Sequence, residues 1–357
     1  MKRNMQGEGR PVLITGGAGF IGTNVASRLL RDGHQVIVYD NFSRAGVERN
    51  FHWLRETFGR QVRLIEADVM DEERLGTAVA ACSRVYHFAA QVAVTTSLDD
   101  PFTDFATNAR GTLNLLESVR RTGRKIPLLF TSTNKVYGDL DDLDLALEQG
   151  RYAPTDPAAA SSGIDEHRSI HFHSPYGCSK GAADQYVLDY ARTFGLQTVV
   201  FRMSCIYGPH QHGNEDQGWV AHFLLRALND EPITIYGDGR QVRDVLFVED
   251  LVEAMLLAHD NIAALGGQAF NIGGGPANSV SLLELAGMIE RTTGKPVDLR
   301  FDDWRLADQR YYVSDISRFT EATGWRPKVS AAEGVSRLHQ WLESAPDSRR
   351  EKWATAP

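Results

Sequence analysis

Residues 11–22 read PVLITGGAGFIG, and this stretch decides how the chain begins to fold. The apolar run before the glycines predicts a buried strand, and the following residues predict a helix that Gly33 ends. A second apolar run, QVIVYD at 35–40, predicts another strand and closes on Asp40, 18 positions beyond Gly22. A strand, a glycine-rich turn, a helix and a second strand that ends in an acidic residue form the full context of a dinucleotide-binding fingerprint.

Each part of this fingerprint has a chemical role. Gly16 makes the tight turn, Gly19 lets the backbone approach a pyrophosphate, and Gly22 allows the helix and the strand to pack closely. The N-terminus of the helix faces the negative phosphates. Asp40 would accept a hydrogen bond from a ribose 2′-hydroxyl and repel a 2′-phosphate, which favours NAD over NADP. Arg44 lies close enough in sequence to hold that phosphate and is the argument for NADP.

Short apolar runs alternate with helical stretches along the first 200 residues. Continuous apolar strands between helices are typical of a parallel sheet that is buried on both faces. Right-handed crossovers then give an α/β fold, a Rossmann-type doubly wound parallel sheet. Asp68 and Val69 follow the third predicted strand, where an adenine ring should lie. The runs that predict further strands are 62–68, 84–90, 126–133 and 197–202.

After about residue 203, frequent turns separate shorter elements, which predicts a smaller α/β substrate-binding lobe. The segment 140–170 is acidic and then rich in Ala, Ser and Pro, and we interpret it as a lid that closes the site. The predicted units are a dinucleotide-binding domain of 10–203 plus about 244–272, a second lobe of about 204–243 plus 273–345, and a frayed tail of 346–357.

The composition excludes several classes of function. With 42% hydrophobic and 24% charged residues, the 357-residue chain is typical of a soluble globular protein. A net charge of -8 argues against a nucleic-acid partner, and no apolar run approaches the ~18 residues of a membrane span. The polar start lacks the apolar core of a signal peptide. Cys82, Cys178 and Cys205 are odd in number and far apart, so we expect reduced thiols in a cytoplasmic protein.

Residues 176–180, YGCSK, place a tyrosine and a lysine four positions apart. On a helix these two side chains share a face, and an ammonium beside a phenol lowers the pKa of the tyrosine. The phenolate can then take a proton from a hydroxyl while a hydride leaves for a nicotinamide. Thr133, in the run FTSTNKVYG at 130–138, is the predicted hydroxyl that bonds the reacting oxygen, and Ser132 is the alternative.

The strings TGGAGFIG, TSTNKVYG, PYGCSK and VRD, together with Asp40, resemble the extended short-chain dehydrogenase/reductases, which are NAD-dependent epimerases and dehydratases of nucleotide sugars. The resemblance runs from about Val12 to Trp341. Within the family, STNKVYGDL, HSPYGCSKGAADQY, DQGWV, QVRDV and SLLEL look most like the epimerases that act at C2 of CDP-hexoses of the paratose and tyvelose type. Related 4,6-dehydratases carry Asp-Glu just after the threonine, and the decarboxylases tend to carry a Glu there. Asn134 and Lys135 stand in those places here, which disfavours dehydration.

Inversion at C2 is most economical when C2 itself is oxidised, because a C2 hydrogen is acidic only beside a carbonyl. Tyr176 would remove the hydroxyl proton, NAD would take the hydride, and the sugar would present its other face to take the hydride back. Three alternatives stay open. They are C4 inversion of a UDP-sugar, a reductase or dehydratase with net chemistry, and a non-catalytic NAD-sensing protein.

The resemblance also implies contacts with the substrate. Arg243 matches the family's phosphate-contacting arginine, and Arg305 and Asp308 match an R-x-x-D near the nucleoside. Cys205 stands where many relatives carry an Asn. Asn108 is expected to brace backbone or bridge a water. The predicted substrate residues are Asn134, Lys135, Cys205, Arg243, Arg305 and Asp308. The predicted cofactor-binding residues are Gly16, Gly19, Phe20, Ile21, Gly22, Asp40, Asn41, Ser43, Arg44, Asp68, Val69, Ala89, Ala90, Gln91, Asn108, Tyr176 and Lys180.

Two H-x-H pairs, His171 with His173 and His210 with His212, suggest a metal site at first sight. No acidic ligand stands at a matching spacing and the redox chemistry needs no metal, so we predict none. A contact between one of these histidines and the substrate is more plausible. The resemblance further implies a homodimer built on a four-helix bundle, with helices that begin near Asp104 and Pro175.

Overall fold

The computed structural model describes residues 9–214, 217–305 and 308–344, and the predicted tail of 346–357 lies outside them. The first elements in chain order are β1 Val12–Thr15, α1 Phe20–Arg31, β2 Val36–Asp40, α2 Val47–Phe58, β3 Val62–Glu66, α3 Glu72–Ala81, β4 Arg84–His87, α4 Val94–Asp99, α5 Pro101–Phe105, α6 Gly111–Arg121, β5 Leu128–Thr133, β6 Leu145–Glu148, β7 Arg151–Pro154, α7 Pro157–Ser162, α8 Ser174–Phe194 and β8 Thr198–Met203. The later elements are β9 Cys205–Tyr207, α9 Trp219–Leu228, β10 Ile233–Tyr236, β11 Val242–Phe247, α10 Val248–Asp260, α11 Ile262–Leu265, β12 Gln268–Ile272, β13 Ser279–Ser281, α12 Leu282–Thr293, β14 Leu299–Asp302, β15 Tyr311–Tyr312, α13 Ser317–Thr323 and α14 Ala331–Glu343.

The main sheet has seven strands in the order β12-β8-β5-β4-β1-β2-β3, and every neighbouring pair is parallel. The chain starts at β1, runs outward through β2 and β3, and then continues on the other side with β4. The order therefore reverses between β1 and β4, and ligands of such sheets bind outside the carboxyl ends of the strands at this point. The predicted doubly wound α/β sheet is confirmed.

The alternation of side chains along β1 explains why both faces of the sheet are covered. Ile14 belongs to a buried cluster with Leu29 of α1 and Met255 of α10. Its neighbour Leu13 belongs to a second cluster, on the opposite face, with Leu116 of α6. Each such side chain contributes roughly 1.5–3 kcal/mol when it leaves water. The continuous apolar strands of the sequence are thus sandwiched between two helical layers.

Smaller sheets form after β8, where only Ser204 separates β8 from β9. Strand β11 pairs with β9 and β15 in parallel and with β13 antiparallel, and β10 pairs with β14. A third apolar cluster, which includes Leu224, Ile289 and Leu338, packs α9, α12 and α14 together. The chain returns to the main sheet through α10 and β12, and the exact domain boundaries stay a prediction. Within the described residues, no helix combines the length and the apolar character needed to cross a bilayer.

The segment 140–170 is structured and anchored, contrary to the weak pattern of its sequence. Strands β6 and β7 form a hairpin, and the Tyr152 N–H donates to the Arg240 carbonyl at 3.1 Å. Arg151 pairs with Glu284 at 3.0 Å, and the Ile164 N–H donates to the Val313 carbonyl at 2.7 Å. These partners lie far away in sequence, which is why the local pattern does not reveal them.

Candidate active site

A cavity of about 960 Å³ opens beside the carboxyl ends of β1 and β4. No described residue of 140–170 lines it, and a lid role for this segment stays a prediction. Asn108, Lys135, Arg243, Arg305 and Asp308 are also absent from the lining. The predicted residues that do line the cavity are Gly16, Gly19, Phe20, Ile21, Gly22, Asp40, Asn41, Ser43, Arg44, Asp68, Val69, Ala89, Ala90, Gln91, Ser132, Thr133, Asn134, Tyr176, Lys180 and Cys205.

The glycine-rich turn packs so closely on neighbouring backbone that Gly16 and Gly22 could not carry side chains. Gly16 has a φ of +66°, and a Cβ there would lie 2.6 Å from the Ala89 nitrogen. A Cβ on Gly22 would lie 2.4 Å from the Gly16 carbonyl oxygen, so the start of α1 packs directly on the turn. No side chain caps the N-terminus of α1, which leaves its first N–H groups available to phosphate oxygens. This cradle fits the pyrophosphate of a dinucleotide.

Asp40 sits at the end of β2 with both carboxylate oxygens bound to backbone. Oδ2 accepts from the Ala18 N–H at 3.0 Å, and Oδ1 accepts from the Phe42 N–H at 3.0 Å. Burial raises the pKa of Asp40, and these two N–H donors oppose the rise. Each oxygen keeps a lone pair for a ribose hydroxyl. Beside it, Asn41 donates to Asp68 at 2.6 Å and fixes the edge where the adenine is expected.

Arg44 is committed to a protein contact. Its Nη2 donates to the His212 carbonyl at 3.3 Å. Burial lowers the pKa of the Arg44 guanidinium. The residue that favoured NADP in the sequence therefore helps to hold a neighbouring loop.

Tyr176 and Lys180 lie on α8 and face the end of β5. Tyr176 is 8% exposed and is hydrogen-bonded through its side chain to Thr133, which lowers its pKa. Desolvation is the larger cause and raises the pKa of Tyr176 to about 12. Ser132 also lines the cavity, and its hydroxyl is buried with no protein partner. A substrate hydroxyl in the cavity would therefore meet a phenol with a second hydroxyl beside it.

Lys180 is held below the tyrosine by two contacts with β5. Its Nζ donates to the Thr131 carbonyl at 2.6 Å and lies 4.3 Å from the centre of the Phe130 ring. Desolvation lowers the pKa of Lys180 to about 7, although the charges of Asp184 and Asp104 oppose this. The lysine can therefore change its protonation state near neutral pH.

Asn108 acts behind the cavity wall. It lies in a π-helical turn, Ala106–Arg110, between α5 and α6, a feature frequent at functional sites. Its Oδ1 accepts from the Gln91 N–H at 2.9 Å, and its Nδ2 donates to the Gln91 carbonyl at 3.0 Å and to Ser179 Oγ at 3.0 Å. The amide braces backbone, as expected, while its side chain does not reach the cavity. Ser97, whose Oγ accepts from the Tyr176 N–H at 3.2 Å, carried no signal in the sequence.

Four of the predicted substrate residues, Asn134, Lys135, Arg243 and Asp308, make polar contacts with one another or with their neighbour Gln309. Asn134 donates to Gln309 at 2.9 Å. Asp308 pairs with Arg243 at 2.7 Å and with Lys135 at 3.9 Å. Desolvation and Arg243 lower the pKa of Lys135, and Asp308 raises it. The structure thus gathers two cations just behind the cavity wall.

The Arg305 guanidinium stacks over the Tyr236 ring at 3.9 Å. Cys205 lines the cavity, burial raises the pKa of its thiol, and a hydrogen bond with Trp219 lowers it. Sequence reasoning missed Trp219 as a lining residue, although it lies in the string DQGWV that supported the family resemblance.

The two histidine pairs lie in different surroundings. Among the described residues, no group of three or more His, Cys, Asp and Glu side chains is arranged to hold a metal ion. His173 is paired with Asp139. His210 and His212 line the cavity, and burial lowers the pKa of each to about 4.

Comparisons with known proteins agree with this geometry. The NAD dependent epimerase/dehydratase family matches residues 12–273. The CDP-paratose 2-epimerase of Salmonella typhi is 46% identical over 93% of this chain and 99% of its own length. The UDP-glucose 4-epimerase of Mycolicibacterium smegmatis is 33% identical over 93% of this chain and 98% of its own length. The crystal structure of the Thermus thermophilus UDP-glucose 4-epimerase with NAD superposes with a TM-score of 0.78 at 31% identity, covering 94% of this chain and 100% of that one.

Proposed function

The chain belongs to the NAD dependent epimerase/dehydratase family, and we propose that it inverts C2 of a CDP-linked hexose of the paratose and tyvelose type. One observation carries the proposal: Tyr176, Lys180 and Thr133 meet in a cavity whose sugar end has an amide where dehydratases are expected to carry an acid. The 46% identity to a CDP-paratose 2-epimerase supports the same carbon and the same nucleotide.

The residues of the cavity suit transient oxidation of C2. When bound, NAD supplies the acceptor for the C2 hydride and later returns that hydride. Tyr176 takes the proton of the C2 hydroxyl, and Thr133 bonds the same oxygen, so C2 becomes a ketone. Lys180 stabilises the ionised phenol through its charge. After the sugar has turned its other face, Tyr176 gives the proton back to the C2 oxygen, and no net oxidation results.

The charges along the cavity argue against loss of water. Asp40 and Asp68 are the carboxylates among the described residues of the lining, and both lie at the adenosine end. At the other end Asn134 has no ionisable proton. The cationic Lys135 lies behind the wall against Asp308. The described site therefore offers no carboxylic acid for the departing hydroxyl of a dehydration.

The test is to incubate the purified protein in D₂O with CDP-paratose, CDP-glucose, UDP-glucose or UDP-glucuronic acid and to follow each by proton NMR. We expect a C2-inverted CDP-sugar without deuterium at C2, because the hydride returns directly. Tyr176→Phe should lower turnover on the order of 10²–10⁴-fold. A 4-keto-6-deoxy product, or no product from any sugar, would contradict the proposal.

The second candidate is inversion at C4 of a UDP-sugar. It is favoured by the 33% identity to a UDP-glucose 4-epimerase and by the superposition on another. The same catalytic residues would serve, because only the carbon presented to Tyr176 differs. In the same experiment, a C4-inverted UDP-sugar together with inert CDP-sugars would establish this candidate.

We also propose that the protein forms a homodimer through α4, α5 and α8. Phe102 is 87% exposed and Phe105 is 58% exposed, and Leu98, Tyr186 and Phe194 expose further apolar surface on these helices. Such a patch is typical of an interface. Light scattering of the native protein should give a dimer mass, and Phe102→Asp should give a monomer.

We further propose a cytoplasmic location. Cys82, Cys178 and Cys205 are all free thiols in the structure, which suits a reducing compartment. Fractionation of cells that express the tagged protein should recover it with cytoplasmic markers, and recovery in an oxidising compartment would contradict the proposal.

A further inference from the structure

The cavity is bounded by a short loop between β9 and α9. We call residues 209–212 the cover loop. His210 and His212 line the cavity together with Asp40 and Arg44, so the loop lies alongside the expected dinucleotide site. The segment 140–170, which the sequence had suggested as a lid, does not line it.

Asn50 of α2 ties the cover loop to the glycine-rich turn. Its side chain is 3% exposed and does not line the cavity. Nδ2 donates to the Ala18 carbonyl at 3.0 Å and to the His210 carbonyl at 3.2 Å. Nε2 of the His212 ring lies 3.3 Å from Asn50 Oδ1, which accepts its proton. One amide thus joins the turn that cradles the pyrophosphate to the loop beside it.

Two further side chains hold other carbonyls of the loop. Asn24 of α1 donates to the Pro209 carbonyl at 2.9 Å, and Arg44 donates to the His212 carbonyl at 3.3 Å. The carbonyls of Pro209, His210 and His212 therefore all accept from the dinucleotide-binding side of the molecule. Because three of its carbonyls are held by hydrogen bonds, the cover loop has a defined conformation.

The His210 side chain provides a different kind of anchor. Its ring centre lies 4.2 Å from that of Trp53 and 5.3 Å from that of Trp341, on α2 and α14 respectively. Its φ is +67°, a conformation that costs a non-glycine residue energy and persists only where surrounding contacts enforce it. The two tryptophan rings supply such contacts from two separate helices.

We propose that the cover loop is a clasp that retains the dinucleotide through each turnover, with Asn50 as its positioning residue. This inference rests on the proposed function. An epimerase that oxidises its substrate only transiently must return the hydride from the same cofactor molecule. If the reduced cofactor escaped, a ketone and an inactive protein would remain. Slow release is therefore a requirement of that chemistry, and the clasp meets it without touching the reacting atoms.

The experiment measures release of NADH directly. Protein loaded with NADH is mixed with a large excess of NAD, and the loss of bound-NADH fluorescence gives the dissociation rate. Asn50→Leu removes both hydrogen bonds that the Asn50 amide donates, so the dissociation rate of NADH should rise about tenfold or more. Glu56→Gln, an exposed position on the same helix, is the matched control and should leave the rate unchanged.

Trp341→Phe is the second variant, because Trp341 lies outside the cavity lining and contacts the clasp through His210. It should speed release severalfold and keeps the test decisive if Asn50→Leu does not fold.

Unchanged release in every folded variant of the two positions overturns the clasp. The assay contains no sugar, so it separates the two ideas. Faster release with no epimerised sugar defeats the proposed function alone, and epimerisation with unchanged release defeats the clasp alone.

Discussion

Replacing Lys180 with methionine should make the ligand-free protein more stable while it abolishes activity. The lysine is 4% exposed, and desolvation moves its pKa from 10.5 to about 7. A pKa change of one unit corresponds to 1.36 kcal/mol, so this lowering of the pKa corresponds to a penalty of about 5 kcal/mol for folding with the ammonium charged. Methionine has a similar length and no charge, so it avoids that penalty.

Part of the gain is lost because Lys180 also makes favourable contacts. Its charged hydrogen bond to the Thr131 carbonyl is worth about 2 kcal/mol, and its contact with the Phe130 ring about 1 kcal/mol. Lys180→Met should therefore be more stable than the native protein by about 2 kcal/mol at pH 6. Turnover should fall on the order of 10²-fold or more, because the phenol of Tyr176 loses its charged neighbour.

The pH dependence gives the stronger test. Between about pH 7 and 10.5 the unfolded lysine binds a proton that the folded lysine has lost, so native stability rises with pH. The rise should be about 1.4 kcal/mol per pH unit relative to the variant, and the advantage of methionine should vanish near pH 9. Urea unfolding at pH 6, 7.5 and 9 measures this, with the exposed Lys125→Met as control. A stability difference that stays constant from pH 6 to pH 9 would refute the reasoning.

Three further changes test other parts of the site. Gly22→Ala would place a methyl group 2.4 Å from the Gly16 carbonyl and should weaken NAD binding at least tenfold by calorimetry, whereas unchanged affinity would argue against the cradle. Asp40→Ala should weaken binding of NADH about tenfold and that of NADPH much less, and equal losses in fluorescence titrations would count against its role in cofactor choice. Asn108→Leu leaves both backbone groups of Gln91 unpaired and should lower the free energy of unfolding by about 2–4 kcal/mol, which denaturant titration would detect or exclude.

The main sheet could be predicted because its signals are local. The strand before Gly16, the turn, α1 and Asp40 lie within 30 residues, and each obeys a rule of short range. The Tyr176 and Lys180 pair was equally visible, because helix geometry alone places residues four apart on one face. These features need no knowledge of how distant segments dock.

The rest of the site depends on contacts between distant segments. Asn134 and Gln309 are separated by 175 positions, and no periodicity links them. The segment 140–170 reads as weakly patterned because its anchoring partners, Arg240, Glu284 and Val313, come much later in the chain. Asn50 reads as an ordinary helix residue, and only the fold shows that its amide meets the cover loop. Contacts between distant segments fix the position of each of these features, and local sequence patterns do not encode such contacts.

Burial gives the catalytic pair a common electrostatic property. Desolvation disfavours the charged form of both groups, raising the pKa of Tyr176 to about 12 and lowering that of Lys180 to about 7. The ligand-free site therefore keeps its phenol protonated, while Lys180 can lose its charge near neutral pH. A positive charge within a few ångströms, from protonated Lys180 or from a bound cofactor, would lower the pKa of the phenol, because the Coulomb term is strong in a dry site. The oxidised nicotinamide ring carries such a charge and the reduced ring does not. With NAD bound beside it, Tyr176 would take a proton more readily before oxidation and return one more readily afterwards, as the two opposite steps of the proposed inversion would require.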